Sequence, residues 1–354
     1  TIVALTARSE VDHLLAALAL LELGAPQVAL ASHDPPAMRL RLARRVGATL
    51  VLADRPDDAV AGLDRIDLGA ALASSRANPR GDAEPGFDAA IPALYLTGSG
   101  TTGEPKVIRF SQHDLARHAD NHINFAGERV LRPAHVEYNN SKRMRLYTLW
   151  QGGTCVFADG TAESLHGQCA RHRVTWLELS PLHGADLLAA SRVEGMLPAY
   201  TAVRVGGARV PIALRRAIIS AASPRLFVSY GTTETSLVAI ADPTMHDARE
   251  TVGPPAAGVT VEVLRPDGLC AAPDEIGEIR IRGPGMATGY VDDAAATPKH
   301  FRDGWFVPGD LASLDADGRP DFGRLQRRMN LTKPREIERV AASVPVRLLL
   351  FDRR

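Results

Sequence analysis

Apolar residues near the start of the chain alternate between two kinds of segment. Short apolar runs begin at Ile2, Val28 and Thr49, and the segments between them repeat apolar residues every three or four positions. These longer segments end at Gly24 and Gly47, as amphipathic helices commonly do. The pattern predicts strand, helix, strand, helix, strand, which is typical of crossover units on a parallel sheet.

The pattern then changes twice. Residues 55–92 are rich in Asp, Arg and Pro and are predicted to run over the surface, and five apolar strands between 93 and 245 predict a second α/β unit. From residue 251 the runs TVEVLRPDG, GEIRIRG and GYVDD are short and broken by Gly and Pro, which favours a small antiparallel unit. The expected fold class is α/β, with mostly parallel subdomains at 1–92 and 93–245 and a β-rich subdomain at 246–324.

Composition and charge exclude several classes of partner. The 354 residues carry 41 basic and 41 acidic side chains, so nothing indicates the excess positive charge that nucleic acid requires. No apolar run approaches the roughly 20 residues that would span a membrane. The three cysteines lack metal-ligand spacing, and the first residues do not resemble a signal peptide. We therefore predict a cytoplasmic protein with small-molecule partners.

The densest chemical signal follows the apolar run that ends at Leu96. It reads TGSGTTGEPK from Thr97 to Lys106. Glycines let backbone N–H groups approach an anion, hydroxyls add donors, and a lysine places a positive charge beside phosphate oxygens. The segment is not a Walker P-loop, because Glu104 and Pro105 stand where Lys and Ser or Thr would be required. The plain alternative is a flexible turn between strands.

A second motif, YGTTE, follows the apolar run LFVS and begins at Tyr230. An aromatic ring can stack on a base, a threonine hydroxyl can bind phosphate, and the carboxylate of Glu234 can hold Mg²⁺. The alternative is a turn in which a threonine caps a helix. Further along, the run DGWFVPGD ends at Asp310, and GR follows at 323–324. On their own, Asp310 and Arg324 are a hairpin aspartate and an ordinary surface arginine.

Taken together, these motifs resemble those of the adenylate-forming superfamily, which includes acyl-CoA synthetases, firefly luciferases and the adenylation domains of peptide synthetases. The family pattern [ST]SG[ST]TGxPK is matched from Ser99 to Lys106, with Glu104 at the variable position and Gly98 in place of the leading Ser or Thr. By resemblance, the catalytic residues are Lys106, Thr233 and Glu234, and Glu234 is the metal ligand. Asp310 and Arg324 stand at the Asp of the family's GWFxTGD and the Arg of the GR that follows it, which implies that the Asp310 carboxylate accepts both ribose hydroxyls. The resemblance implies these nucleotide-binding residues: Thr97, Ser99, Gly100, Thr101, Thr102, Gly103, Lys106, Gly207, Ala208, Tyr230, Gly231, Thr232, Thr233, Asp310 and Arg324.

The activity that the resemblance implies is activation of a carboxylic acid by ATP and Mg²⁺ as an acyl-adenylate, with release of pyrophosphate. Transfer of the acyl group to coenzyme A would follow, as in an acyl-CoA synthetase. The alternatives are an enzyme that loads a carrier protein, a degenerate homologue that binds adenylate without catalysis, and an unrelated kinase or ATPase.

The resemblance also locates the acyl pocket. Asn140, Ser141, Gly206 and Gly207 are the expected lining, in part by counting back from the Gly-Gly pair at 152–153. The charged residues Glu137, Lys142, Arg143 and Arg145 are close by in the sequence. They could indicate a polar acid or one with a second carboxylate, but a solvated helix face is the favoured explanation.

Residues 325–354 are expected to form a hinge and the start of a mobile C-terminal domain, because PREIERV from Pro334 resembles the first helix of that domain in the family. The remainder of such a domain does not follow. Either the chain is a shortened homologue or mobile residues have been left out of the sequence, and the second explanation is favoured. The lysine that relatives supply from that domain has no counterpart that can be named here.

Overall fold

The computed structural model describes residues 1–77, 90–98, 106–158, 163–246, 250–316, 318 and 320–321. The strands are β1 (Ile2–Thr6), β2 (Gln27–Ala29), β3 (Ala48–Ala53), β4 (Asp64–Asp67), β5 (Pro92–Gly98), β6 (Lys106–Ser111), β7 (Arg129–Leu131), β8 (Thr154–Val156), β9 (Trp176–Leu179), β10 (Ala202–Gly206), β11 (Leu226–Thr232), β12 (Ser236–Ala241), β13 (Thr260–Leu264), β14 (Gly277–Arg282), β15 (Phe301–Arg302), β16 (Trp305–Phe306), β17 (Leu311–Leu314) and β18 (Pro320–Asp321). The helices are α1 (Glu10–Glu22), α2 (Pro36–Val46), α3 (Leu68–Ala77), α4 (Gln112–Asp120), α5 (Asn139–Trp150), α6 (Leu165–Arg171), α7 (Pro181–Glu194), α8 (Ile212–Ala221) and α9 (Thr297–His300), and a 3₁₀ turn covers Pro56–Asp58.

The first sheet has the strand order β4-β3-β1-β2-β5-β6. Its first five strands are parallel, and β6 returns antiparallel to β5 at the edge. The sequence prediction placed the strand that begins near residue 93 in the second unit. The structure instead pairs β5 with β2, so β5 and β6 complete the first sheet. Sequence periodicity identifies a strand but does not say which neighbour it pairs with, because pairing depends on tertiary contacts.

The second sheet has the order β12-β11-β10-β9-β7-β8 and is parallel except for β12. A third, antiparallel sheet runs β15-β16-β14-β17-β18, and β13 pairs with β14. The predicted α/β fold with a β-rich unit is confirmed. The run GYVDD forms no strand, however, because its backbone meets β6 at a single hydrogen bond, from the N–H of Val291 to the carbonyl of Val107 (2.8 Å).

The region predicted to be surface coil is partly regular. It contains β4, which pairs in parallel with β3, and helix α3. The strand reads DRID and carries little apolar signal, so its pairing partner rather than its own side chains makes it a strand. The correction applies to residues 55–77 and 90–92, because residues 78–89 lie outside the described part of the chain.

Serine caps begin several of the helices. Ser9, Ser164 and Ser180 each accept a hydrogen bond from a backbone N–H in the first turn of the helix that follows. Ser111 and Asp114 form a capping box at α4. Each such cap satisfies an N–H that the helix cannot, and contributes about 1 kcal/mol.

The hydrophobic core connects the sheets. One apolar cluster joins Val203, Val205 and Val228 of the second sheet to Ile279 and Ile281 of the third. A second cluster contains β5, β6, α4 and α5, together with Tyr290 from the segment that follows β14. The cleft described next lies where these layers meet.

Candidate active site

A cleft of about 1270 Å³ opens between the three sheets. Gly98 and Lys106 contribute to it from the first sheet, Tyr230 from the second, and Glu278 and Asp310 from the third sheet and its connections. The carboxyl ends of β10 and β11 face the cleft, which is the usual place for a ligand in a parallel α/β sheet. Residues from distant parts of the chain therefore converge on one space.

The predicted phosphate loop begins and ends at the wall of this cleft. Gly98 at the end of β5 pairs with Lys106 at the start of β6, and Thr97 pairs with Val107. The intervening Ser99, Gly100, Thr101, Thr102 and Gly103 lie outside the described residues. A Cβ atom on Gly98 would lie 3.8 Å from Oε1 of Glu234. The base of the loop therefore adjoins the residue predicted to bind metal.

Lys106 and Glu234 share a neighbour, Tyr290. The Tyr290 hydroxyl donates to Glu234 Oε1 at 2.9 Å, and Lys106 Nζ lies 4.8 Å from the centre of the Tyr290 ring. Burial lowers the pKa of Lys106, whereas the carboxylates of Glu234 and Asp293 act in the opposite direction. Burial and Glu234 both raise the pKa of Tyr290, so its hydroxyl stays protonated and donates. The arrangement holds one cation and one carboxylate near each other at the end of β5 and the start of β6.

His300, which the sequence analysis did not single out, positions Lys106. Its Nδ1 lies 2.8 Å from the carbonyl of Val307, and its Nε2 lies 2.7 Å from Lys106 Nζ. A carbonyl only accepts, so Nδ1 carries the hydrogen and the Nε2 lone pair accepts from the ammonium group. No motif marks this histidine, because it meets Lys106 only through the fold.

We expect His300→Ala to lower kcat/KM for ATP by about 3- to 10-fold, the effect of losing one orienting hydrogen bond. His300→Gln, whose amide oxygen can also accept, should retain most of the activity. ATP–pyrophosphate exchange at varied ATP concentration measures both variants. If both variants lost the same amount of activity, His300 would not position Lys106 by accepting its hydrogen bond.

Tyr230 and Asp310 meet on another wall of the cleft. The phenol of Tyr230 donates to Asp310 Oδ2 at 2.6 Å, although 80 positions separate the two residues. Both line the cleft and both are largely buried, with 9% and 4% of their surface exposed. Two motifs that sequence analysis assigned to base and ribose thus lie in direct contact.

The remaining residues of the YGTTE motif are held from helix α5. Arg143 donates to the carbonyl of Thr233 at 2.8 Å and to that of Thr232 at 3.3 Å. Gly231 leaves no room for a side chain, since a Cβ there would lie 2.4 Å from the carbonyl oxygen of Ser236. Gly231, Thr232 and Thr233 all line the cleft, so Arg143 fixes the backbone of a cleft wall.

The favoured expectation of a solvated helix face is wrong. Glu137, Lys142, Arg143 and Arg145 are each at most 4% exposed. All eight residues from 141 to 148 are buried, so this part of α5 has no solvent face. The sequence contains no apolar stripe to show this, because the helix is enclosed on every side and its charges meet internal partners such as Glu10, which pairs with Arg145 at 2.8 Å.

Lys142 leads to a pH-dependent prediction. The side chain is fully buried, no described atom hydrogen-bonds to Nζ, and burial lowers its pKa from 10.5 to about 7. Between these two values the unfolded chain binds the proton and the folded chain does not, so the free energy of unfolding rises with pH. At pH 7.5 we expect Lys142→Met to have a higher free energy of unfolding than the wild type. This difference should decrease by about 1.4 kcal/mol for each pH unit between pH 7.5 and 10. Urea denaturation across this range measures it.

The control is Lys299→Met, because Lys299 is exposed. Its difference from wild type should stay constant over the same pH range. A constant difference for Lys142→Met as well would show that Lys142 remains charged in the folded protein.

Of the expected acyl-pocket residues, Asn140 and Gly207 line the cleft and Ser141 does not. The Ser141 hydroxyl is buried and donates to the carbonyl of Ala134 at 2.6 Å. Gly206 packs directly on Ser229, since a Cβ there would lie 2.5 Å from the serine oxygen. Ala208 lines a smaller neighbouring cavity instead. Arg324 lies outside the described residues.

Within the described part of the chain, no cluster of three or more His, Cys, Asp or Glu side chains could enclose a metal ion. Mg²⁺ does not need one, because it commonly binds through one or two carboxylates and the oxygens of a phosphate substrate. Glu234, with one oxygen beside the base of the loop, fits that requirement. Also among the described residues, no helix combines the length and apolarity needed to cross a bilayer.

The chain is similar in sequence to several enzymes of known activity. Among curated relatives, sulfoacetate–CoA ligase of Cupriavidus necator is 32% identical over 237 residues, which cover 64% of this chain and 46% of that ligase. The fatty acid–[acyl-carrier-protein] ligase MmaC of Mycobacterium marinum is 27% identical, covering 79% of this chain and 59% of MmaC. The chain thus spans about half the length of these relatives.

Solved structures show the same fold. The O-succinylbenzoate coenzyme A synthetase MenE of Bacillus subtilis in complex with AMP superposes with a TM-score of 0.80 at 22% identity, over 97% of this chain and 73% of MenE. Residues 1–291 match the family described as AMP-binding enzyme. This match covers most of the chain, and the chain therefore belongs to the AMP-binding enzyme family of adenylate-forming proteins.

Proposed function

We propose that this protein activates a carboxylic acid by attack of its carboxylate on the α-phosphorus of ATP, which yields an acyl-adenylate and pyrophosphate. The observation that carries the proposal is the convergence on one cleft of Lys106 and Glu234, at the base of the phosphate loop, with the Tyr230–Asp310 pair. The cation of Lys106 matches the phosphates of ATP, and the carboxylate of Glu234 matches the metal that binds them. The ring of Tyr230 matches the base, and the carboxylate of Asp310 matches the ribose.

Each group has a role that its surroundings support. Lys106, oriented by His300, balances negative charge that develops on the phosphates, and Asp310 accepts from the ribose hydroxyls. Thr233, whose backbone Arg143 holds, presents its hydroxyl to a phosphate oxygen. Mg²⁺ bound at Glu234 would neutralise phosphate charge and align the triphosphate. The protein otherwise supplies alignment of the two substrates, which can account for much of a phosphoryl-type rate enhancement.

For the second step we propose transfer of the acyl group to coenzyme A. Sulfoacetate–CoA ligase, a relative in sequence, and the structural neighbour MenE are both named for coenzyme A. Transfer to a carrier protein is the second candidate, since MmaC is named as an acyl-carrier-protein ligase. Incubation of the full chain with ATP, acid and either acceptor, followed by mass spectrometry of the thioester, decides between them.

The adenylation step is tested by its products. Exchange of labelled pyrophosphate into ATP should depend on an added carboxylic acid, and the nucleotide released in turnover should be AMP. Release of ADP or inorganic phosphate would instead identify a kinase or an ATPase. Binding of ATP without exchange for any acid would identify a non-catalytic adenylate-binding homologue.

A further inference from the structure

One part of the cleft wall is polar and cationic. Arg204 on β10 lines the cleft together with His122, Asn140 and Arg143. Side chains two apart on a strand lie on the same face, so Arg204 shares its face with Gly206 at the end of β10. Gly206 packs on Ser229, which also lines the cleft. Arg204 therefore lies about 6 to 7 Å further along the strand, away from its carboxyl end.

The charges around Arg204 do not balance within the described residues. Arg204 Nη1 lies 3.2 Å from Glu178 Oε1, and Arg132 pairs with the other oxygen of the same carboxylate. All three side chains are at most 8% exposed. Two guanidinium groups thus share one carboxylate. Arg143 adds a further positive charge whose partners are neutral carbonyl groups.

The other nearby groups do not supply the missing negative charge. His122 Nε2 lies 3.4 Å from Arg204 Nη1, and burial and Arg204 hold the pKa of His122 well below its ordinary value, so the ring is neutral. Glu137 accepts from Ser32, and Glu10 pairs with Arg145. Burying a cation without an anion is strongly unfavourable. The cleft wall is therefore prepared for an anion that the described residues do not provide.

The guanidinium of Arg204 is placed to receive such an anion. Its hydrogen bond and its ion pair to described residues both use Nη1. Nε and Nη2 remain as donors in the planar fork that binds a carboxylate or sulfonate at two points. The exposed Asn140 lines the same cleft and adds an amide donor. The aliphatic end of a fatty-acid substrate would displace water from Arg204 and Asn140 without replacing the hydrogen bonds of that water, which is unfavourable.

We propose, resting on the adenylation function above, that the acid activated here carries a second anionic group, a carboxylate or a sulfonate, which binds Arg204 and Asn140. The reacting carboxylate then lies near Gly207, and the second anion lies further along β10. The substrate class is a short dianionic acid rather than a fatty or simple aryl acid.

The test compares acids of matched length with and without the second anion in ATP–pyrophosphate exchange. Succinate is paired with butyrate, glutarate with pentanoate, and 3-sulfopropionate with butyrate. We expect kcat/KM to favour the dianionic member by roughly 30-fold or more in at least one pair. The sulfonate pair distinguishes the two kinds of anion. A preference for the monoanionic member in every pair, or for long fatty acids, would overturn the proposal and leave adenylation intact.

The variant Arg204→Met should lower the ratio of kcat/KM between the two members of the preferred pair by about 30-fold, whereas exposed Arg117→Met should leave this ratio unchanged. An unchanged ratio in Arg204→Met would assign Arg204 a purely structural role and overturn the proposal. If Arg204→Met does not fold, the preference of the wild-type protein decides. The absence of exchange with any acid would count against the proposed function itself.

Discussion

Replacing Lys106 with methionine should lower the rate of ATP–pyrophosphate exchange by about 100-fold or more. Methionine keeps an unbranched side chain, one atom shorter, but removes the ammonium group that lies over Tyr290 and with it the charge beside the phosphate loop. Removing one preorganised group that stabilises developing negative charge typically lowers kcat by about 100- to 1000-fold. The loss should appear mainly in kcat, because charge on the departing pyrophosphate grows toward the transition state.

Lys299→Met is the matched control, since Lys299 is an exposed lysine near Lys106 that does not line the cleft. It should keep nearly full activity. Lys106→Arg should recover only part of the loss, because a guanidinium group is larger and planar. Wild-type exchange by Lys106→Met would show that the charge of this lysine is not needed for adenylation.

Replacing Asp310 with asparagine should raise KM for ATP by about 10- to 100-fold. The carboxylate already accepts from Tyr230, and we expect it to accept from the ribose hydroxyls as well. Hydrogen bonds to a charged group contribute about 1.5 to 3 kcal/mol, and asparagine weakens each of them. ATP–pyrophosphate exchange, measured at varied ATP concentration and saturating acid, gives KM for ATP.

Tyr230→Phe separates the contribution of the carboxylate from that of its neighbour. It keeps the ring and removes the hydroxyl, so KM should rise by less than about 5-fold. Asp303→Asn, an exposed position seven residues before Asp310, should change nothing. If Tyr230→Phe were as damaging as Asp310→Asn, the Tyr230–Asp310 hydrogen bond rather than a ribose contact would explain the effect.

Motifs at the ends of apolar strands were predictable because their chemistry is local. The YGTTE motif begins in the last three residues of β11, the phosphate-loop segment begins in the last two residues of β5, and Asp310 precedes β17, as expected from the order of apolar runs and the family resemblance. The sequence could not show which residues contact each other in the folded protein. Nothing near His300 marks it as the neighbour of Lys106, 194 positions away.

The prediction that helix α5 has a solvated face was wrong for a related reason. Charged residues without an apolar stripe normally indicate a solvated surface, because burying a charge is unfavourable. Here Arg143 and Arg145 find carbonyl and carboxylate partners inside the protein, and Lys142 shifts its pKa. The sequence shows the charges but not the partners that make their burial possible. The sequence did not show that β5 belongs to the first sheet for the same reason, because β5 pairs with residues 67 positions earlier in the chain.

The β5–β6 hairpin belongs to one sheet, Tyr230 to a second, and Asp310 leads into a third. A bound nucleotide would therefore bridge three layers that loops, apolar contacts and a few hydrogen bonds such as Tyr230–Asp310 already connect. Because a ligand that binds only the folded protein stabilises it, ATP would act as a cross-link between these layers. Substitutions far from the cleft that loosen the packing between sheets would then weaken nucleotide binding, although they touch no residue of the site.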